Sequence, residues 1–225
     1  LDKDPKDATS KKLSLDAKQL FVDIQILLGK FNEASETNAD AMQMANDLFE
    51  FDQKNNSARL ALGIAHYRHA ELSAENDPSA YGEALAALNA AQNIEPENET
   101  IALWLLRALM AKGRAYALNG NLDESFAAAA EANRLIAKFT DDNPSESVRI
   151  SKALVLIYEA EIHLHNRDVE RANARLDAAC ALLKMKPEAK IPFSRLYPLV
   201  TALYLQGKQA EAAEYRRRLD QAGYV

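Results

Sequence analysis

The feature that most constrains this chain is a recurring arrangement of small residues. In its clearest instance, Ala160 lies near the end of one apolar-periodic stretch, and Ala172 and Ala179 lie on the next. Between them runs the polar turn His165-Asn-Arg-Asp168. Ala172, Leu176 and Ala179 follow helical spacing. Small side chains at these points let two helix backbones approach, with Leu176 filling the groove between them. Val169 is expected to plug the turn.

The arrangement recurs. Gly63 is followed by Ala84, Leu88 and Ala91, and Gly113 by Leu122, Ser125, Ala129 and Ala132. Gly207 is followed by Ala212, and Ala41, Ala45 and Leu48 are expected to face a helix before them. One helical hairpin cannot cover its own apolar stripe, so a chain that repeats the hairpin buries each unit against the next. The composition agrees: 48% of the 225 residues are hydrophobic, and glycine and proline number only seven each. Few β-branched runs interrupt the chain, so helix is favoured over strand.

Taken in order, residues 1–12 lack apolar periodicity and read as a linker or disordered segment. Residues 13–225 read as one all-α repeat domain of about five antiparallel helix pairs. The first helix is expected to begin near Ser14 or Asp16 and to end at Gly29. Leu20, Ile24 and Leu28 mark its apolar stripe, with Phe21 and Ile26 alongside. After a loop, the second helix spans about 38–51. Further helices are expected over about 57–72, 81–95, 98–118, 122–139, 145–165 and 168–184. Breaks fall at Glu75–Ser79, Asn119-Gly120-Asn121, Asp141–Pro144 and Lys186–Pro192. A last pair starts near Phe193 and turns at Gln206-Gly207. Pro198 is expected to kink the ninth helix or delay its start.

These spacings resemble the tetratricopeptide repeat (TPR), a helix-turn-helix unit of roughly 34 residues. The match rests on Gly63 with Tyr81, Ala84, Leu88, Ala91 and Pro96, and on Gly113-x-x-Tyr116 with Gly120, Leu122 and Ala132. It extends through Ala160-x-x-His163 with Val169, Ala172, Leu176 and Ala179, and through Gly207 with Ala212. The chain departs from the family at Ser125, where alanine is usual, and in its long segment before Tyr81. The resemblance implies a superhelix whose concave groove, lined by the first helix of each pair, binds a protein or peptide.

Projecting that groove selects Tyr67, Arg107, Arg114, Glu161 and Tyr204 as partner contacts, while the apolar wall positions serve equally as core. Leu60 and Ile64 stand where the family's carboxylate-clamp members need Lys and Asn, so no such clamp is expected. The alternative function is a sensory or regulatory region of a larger signalling protein, such as a transmembrane transcription regulator or a kinase with C-terminal repeats. The start at Leu1 rather than Met motivates that alternative.

No catalytic signature or glycine-rich phosphate loop is visible, and neither an enzymatic activity nor a cofactor is expected. The net charge of −6 comes without a basic block, so nucleic acid is not an expected partner. No apolar run is long enough to span a bilayer. His66-x-x-His69 has a spacing that permits metal binding, but His66 and His163 occupy the repeat's aromatic slot, so packing is favoured and no metal is expected. Cys180, the single cysteine, reads as a buried thiol and fits either a cytoplasmic or a periplasmic setting.

Overall fold

In a computed structural model of the chain, residues 5–73, 77–139, 144–184 and 192–221 are described. They form helices and turns, with no strand among them. The helices are α1 (Pro5–Leu27), α2 (Phe31–Phe51), α3 (Asn56–Ser73), α4 (Gly82–Ile94), α5 (Glu99–Leu118), α6 (Leu122–Ala137), α7 (Glu146–His165), α8 (Val169–Leu183), α9 (Phe193–Leu205) and α10 (Gln209–Gln221). A 3-10 turn, Pro78–Tyr81, precedes α4. The chain divides into two compact units, Leu1–Ala111 and Lys112–Val225, with the boundary inside α5.

One stop signal closes four of the hairpins. Gly29, Gly120, Arg167 and Gly207 all adopt positive φ, between 59° and 79°, at the end of α1, α5, α7 and α9. At each, the residue's own N–H and the next N–H reach back to carbonyls of the last helical turn. Gly120 N donates to Ala117 O (3.0 Å) and Asn121 N to Tyr116 O (2.9 Å), while Arg167 N donates to Leu164 O (3.0 Å) and Asp168 N to His163 O (2.8 Å). This paired closure satisfies carbonyls the helix end would otherwise orphan. It also shuts the α7–α8 turn without a side-chain plug: Val169, expected to fill that turn, is 56% exposed.

The second helices bury the residues their spacing predicts. Ala41, Ala45 and Leu48 on α2 are buried, as are Ala84, Leu88 and Ala91 on α4. Ser125, Ala129 and Ala132 on α6, Ala172, Leu176 and Ala179 on α8, and Ala212 on α10 follow the same rule. Each such leucine contributes roughly 1.5–3 kcal/mol through burial. In the first unit the contacts run in sequence, α1 on α2, α2 on α3 and α3 on α4. Amide side chains stitch them together: Gln19 donates to Ala61 O (2.9 Å), Asn38 to Ala65 O (2.9 Å) and Asn56 to Ala91 O (3.1 Å). In the second unit α6 packs on α7, α7 on α8, α8 on α9 and α9 on α10.

Several sequence expectations are corrected. Helix α1 begins at Pro5 rather than near Ser14, since proline is well tolerated in the first helical turn. Helix α2 begins at Phe31 rather than near Asn38, because the turn at Gly29-Lys30 leaves no room for a loop. Pro198 does not delay α9; it sits inside that helix, where it removes only a bond to the Ser194 carbonyl near the helix start. Most of the expected breaks before Ser79, before Pro144 and before Pro192 lie outside the described residues, as does the chain end at Tyr224-Val225.

The largest correction concerns α1. Its expected core stripe is exposed: Leu20 by 62%, Ile24 by 42% and Leu28 by 65%, with Phe21 beside them. The face turned inward carries Leu15, Gln19, Val22 and Gln25. Gln19 reaches Ala61 from that face, so the buried amide is compensated rather than excluded.

Candidate functional site

In the first unit, Tyr67 and Arg107 are brought together by a residue the sequence reading did not single out, Trp104. The Tyr67 and Trp104 rings meet edge-on at 5.8 Å, and Tyr67 also meets Tyr81 at 6.3 Å. Helix α3 supplies Tyr67, Arg68 and Glu71, and α5 supplies Trp104 and Arg107. Trp104 and Arg107 are three residues apart, so their side chains share one helix face. The Arg107 guanidinium lies 4.5 Å from the Trp104 ring centroid, and the Arg68 guanidinium lies 5.2 Å from it.

The two arginines differ in how their charge is met. Arg68 is buried and forms a two-pronged pair with Asp23, Nε to Oδ1 at 3.0 Å and Nη2 to Oδ2 at 2.8 Å. Burial lowers its affinity for the proton and Asp23 opposes that effect. Its Nη1 is left without an acceptor. Arg107 is exposed, and no carboxylate lies within ion-pair distance of it among the described residues. Tyr67 donates to Glu71 at 3.0 Å. Burial pushes both the Tyr67 hydroxyl and the Glu71 carboxyl above their ordinary ranges.

The result is an aromatic floor with one exposed guanidinium over it, near enough to Glu71 to hold that carboxyl's pKa down against burial, yet with no carboxylate at ion-pair distance among the described residues. A guanidinium resting over an indole keeps its charge and loses little rotamer freedom on binding an oxygen acceptor. At the edge of the same unit, His66 Nδ1 lies 3.0 Å from Glu83 Oε2, and burial lowers the imidazole's pKa.

In the second unit, Arg114 and Glu161 meet each other at 2.7 Å, so their charges are mutually satisfied. Arg114 also lies over the Tyr158 ring at 5.7 Å. Tyr204 is 42% exposed on α9, two turns from Tyr197, which is 69% exposed. Among the described residues no hydrogen bond, ion pair or ring contact joins Tyr204 to Arg114 or Glu161. Of the sequence candidates, this unit therefore offers an exposed tyrosine and a mutually paired arginine and glutamate.

The remaining sequence candidates are packed. His163 is buried against Phe126, with ring centroids 5.2 Å apart. Cys180 is buried, and burial raises its thiol pKa. Among the described residues no group of three His, Cys, Asp or Glu side chains is placed to hold a metal ion. No described helix is long and apolar enough to cross a membrane. A cavity of about 300 Å³ in the first unit is lined by Lys12, Asp16, Asp52, Asn55 and Ser57 among others. That is at the lower end of ligand-pocket volumes, and its lining has no histidine or cysteine.

Trp104 was legible in one respect: it is the chain's single tryptophan, set one helical turn before Arg107. Its contacts with Arg68 and Tyr67 come from α3 and carry no local sequence signal. Comparison with known proteins returns neither a matching family model nor a matching curated sequence.

Proposed function

We propose that this chain is a non-enzymatic protein-interaction module of TPR type that takes a partner polypeptide against first-helix faces. The TPR reading is supported by the shared hairpin closure and by the repeated burial of small residues on successive second helices. The observation that carries the binding function is Arg107, exposed and 4.5 Å from the Trp104 ring centroid, with no carboxylate at ion-pair distance among the described residues. Tryptophan, tyrosine and arginine are the residue types that dominate binding energy at protein interfaces. Here they are gathered in one unit, and the cation is exposed. The partner segment is expected to carry an acidic side chain beside an apolar or aromatic one. The acid pairs with Arg107 and its neighbour lies on the ring edges of Trp104.

Selection from a random-sequence displayed peptide library tests this reading. The wild-type chain is expected to enrich acidic–apolar peptides, and a chain carrying Trp104→Ala and Arg107→Ala is expected to lose them. Enrichment of nothing, or of the same peptides by both chains, contradicts it.

A further inference from the structure

Helix α3 brings a carboxylate to the same aromatic floor. Glu71 lies one helical turn after Tyr67, and the Tyr67 hydroxyl donates to its Oε1 at 3.0 Å. Tyr67 is itself fixed by the Trp104 and Tyr81 rings, at 5.8 and 6.3 Å. One oxygen of the carboxylate is thus positioned by a buried residue. The side chain still reaches solvent, from a base walled by protein. Arg107 and Arg68 both hold the carboxyl down against burial, so both lie within electrostatic reach of it. Neither lies at ion-pair distance from it, and Arg68 is already paired with Asp23. His66, on the same helix, is turned to Glu83. The contacts therefore run from Glu71 to Tyr67, Trp104 and Arg107, with an exposed anion at one end and an exposed cation at the other.

We propose that the partner segment carries both signs of charge, with a Lys or Arg set on Glu71 as well as the acid set on Arg107. This rests on the reading of Arg107 given above and adds the residue that sets the partner's charge. Charge complementarity decides the occupant. Arg68 and Asp23 neutralise each other, so the floor presents one open cation and one open anion. A segment with an acid and a base meets each with its opposite. A polyacidic segment gains at Arg107 but sets a further acid against Glu71, so the carboxylate discriminates against it.

Peptides enriched by the wild-type chain from the displayed random-sequence library test this, each measured as selected and with its base changed to Gln. The enriched peptides are expected to carry a Lys or Arg as well as the acid. Losing that base is expected to weaken binding to the wild-type chain about two- to fivefold, the range of an exposed ion pair. The same loss is expected to leave binding to a Glu71→Gln chain unchanged. The substituted amide still accepts from Tyr67, so the aromatic floor stays in place, and helicity and thermal midpoint serve as folding controls. Selection on a Glu71→Lys chain is expected to shift toward peptides with two acids. Enriched peptides that lack a base, or a base whose loss weakens both chains alike, overturn this inference. Sensitivity of those same peptides to Arg107→Ala then leaves the reading of Arg107 standing, whereas enrichment of nothing overturns both.

Discussion

A side chain at Gly113 would collide with Tyr158: a Cβ built there lies 1.8 Å from the tyrosine hydroxyl oxygen and 2.7 Å from the ring carbon bearing it. The glycine on α5 is thus the space into which the phenol of α7 fits. The hydroxyl pushed against it donates to the Ser125 carbonyl at 2.9 Å, and Ser125 Oγ donates to the Gly113 carbonyl at 2.8 Å. Burial pushes the Tyr158 hydroxyl up to about 12, so it stays a neutral donor at any physiological pH. The Ser125 Oγ also lies 2.9 Å from the Tyr158 hydroxyl, so this serine partners both the phenol and the Gly113 carbonyl.

Gly113→Ala is therefore expected to destabilise the second unit by about 1–3 kcal/mol, the usual range for overpacking. Tyr158→Phe removes the nearest atom but leaves the ring carbon in place. The double substitution is expected to cost less than the sum of the two, because the residues share one space. Denaturant titration of the four chains in that cycle measures it.

Ser125→Ala is expected to cost about 1–3 kcal/mol, since it strips a partner from a buried hydroxyl. Combined with Tyr158→Phe, the loss is expected to shrink, because an apolar pair leaves no donor unmet. Thermal unfolding of the single and double variants decides this.

Arg167 holds φ of 59°, the conformation that glycine holds at the three equivalent turns. A left-handed residue with a Cβ costs about 1–2 kcal/mol, partly offset by the entropy glycine loses on folding. Arg167→Gly is therefore expected to raise stability by about 0.5–1 kcal/mol. Gly120→Ala, the reverse experiment, is expected to lower it. A stabilising Gly120→Ala contradicts the account of the turn.

Arg195, almost fully buried on α9, is held by both oxygens of Glu146 at the start of α7. The bond from Arg195 holds the Glu146 carboxyl below its ordinary 4.5. The unfolded chain therefore binds this proton more readily than the folded one. The pair's contribution is present above the ordinary value and is lost as pH falls through the lower, folded value. Glu146→Gln is expected to remove that part of the acid sensitivity. Thermal midpoints recorded from about pH 7 to about pH 3 show whether the slope flattens.

What the sequence made legible and what it hid differ for a physical reason. The second helices were readable because Ala84, Leu88 and Ala91, or Ala172, Leu176 and Ala179, are small or apolar on one face only. Periodicity and burial then coincide. On α1 the two separate. Leu20 and Ile24 form the more apolar stripe, yet the helix buries Gln19 and Gln25, whose inward position depends on tertiary contacts such as the Ala61 carbonyl. A hydrophobic period marks an apolar face, but not whether a neighbouring helix packs on it. Arg107 and Tyr67 were found by projecting a repeat, whereas Trp104, which joins them, depends on α3 and α5 meeting. The same projection selected Arg114 and Glu161, and in the fold each is the other's partner at 2.7 Å.

Trp104 is itself the most direct reporter of the binding account, because no other tryptophan contributes to the chain's emission. Titrating the chain with a library-selected acidic–apolar peptide, while following tryptophan fluorescence and heat in parallel, tests the central claim. The account predicts a saturable change in emission with the same dissociation constant as the heat, weakened about tenfold or more by Arg107→Ala. Heat of binding with an unchanged emission, and an affinity indifferent to Arg107→Ala, would contradict it.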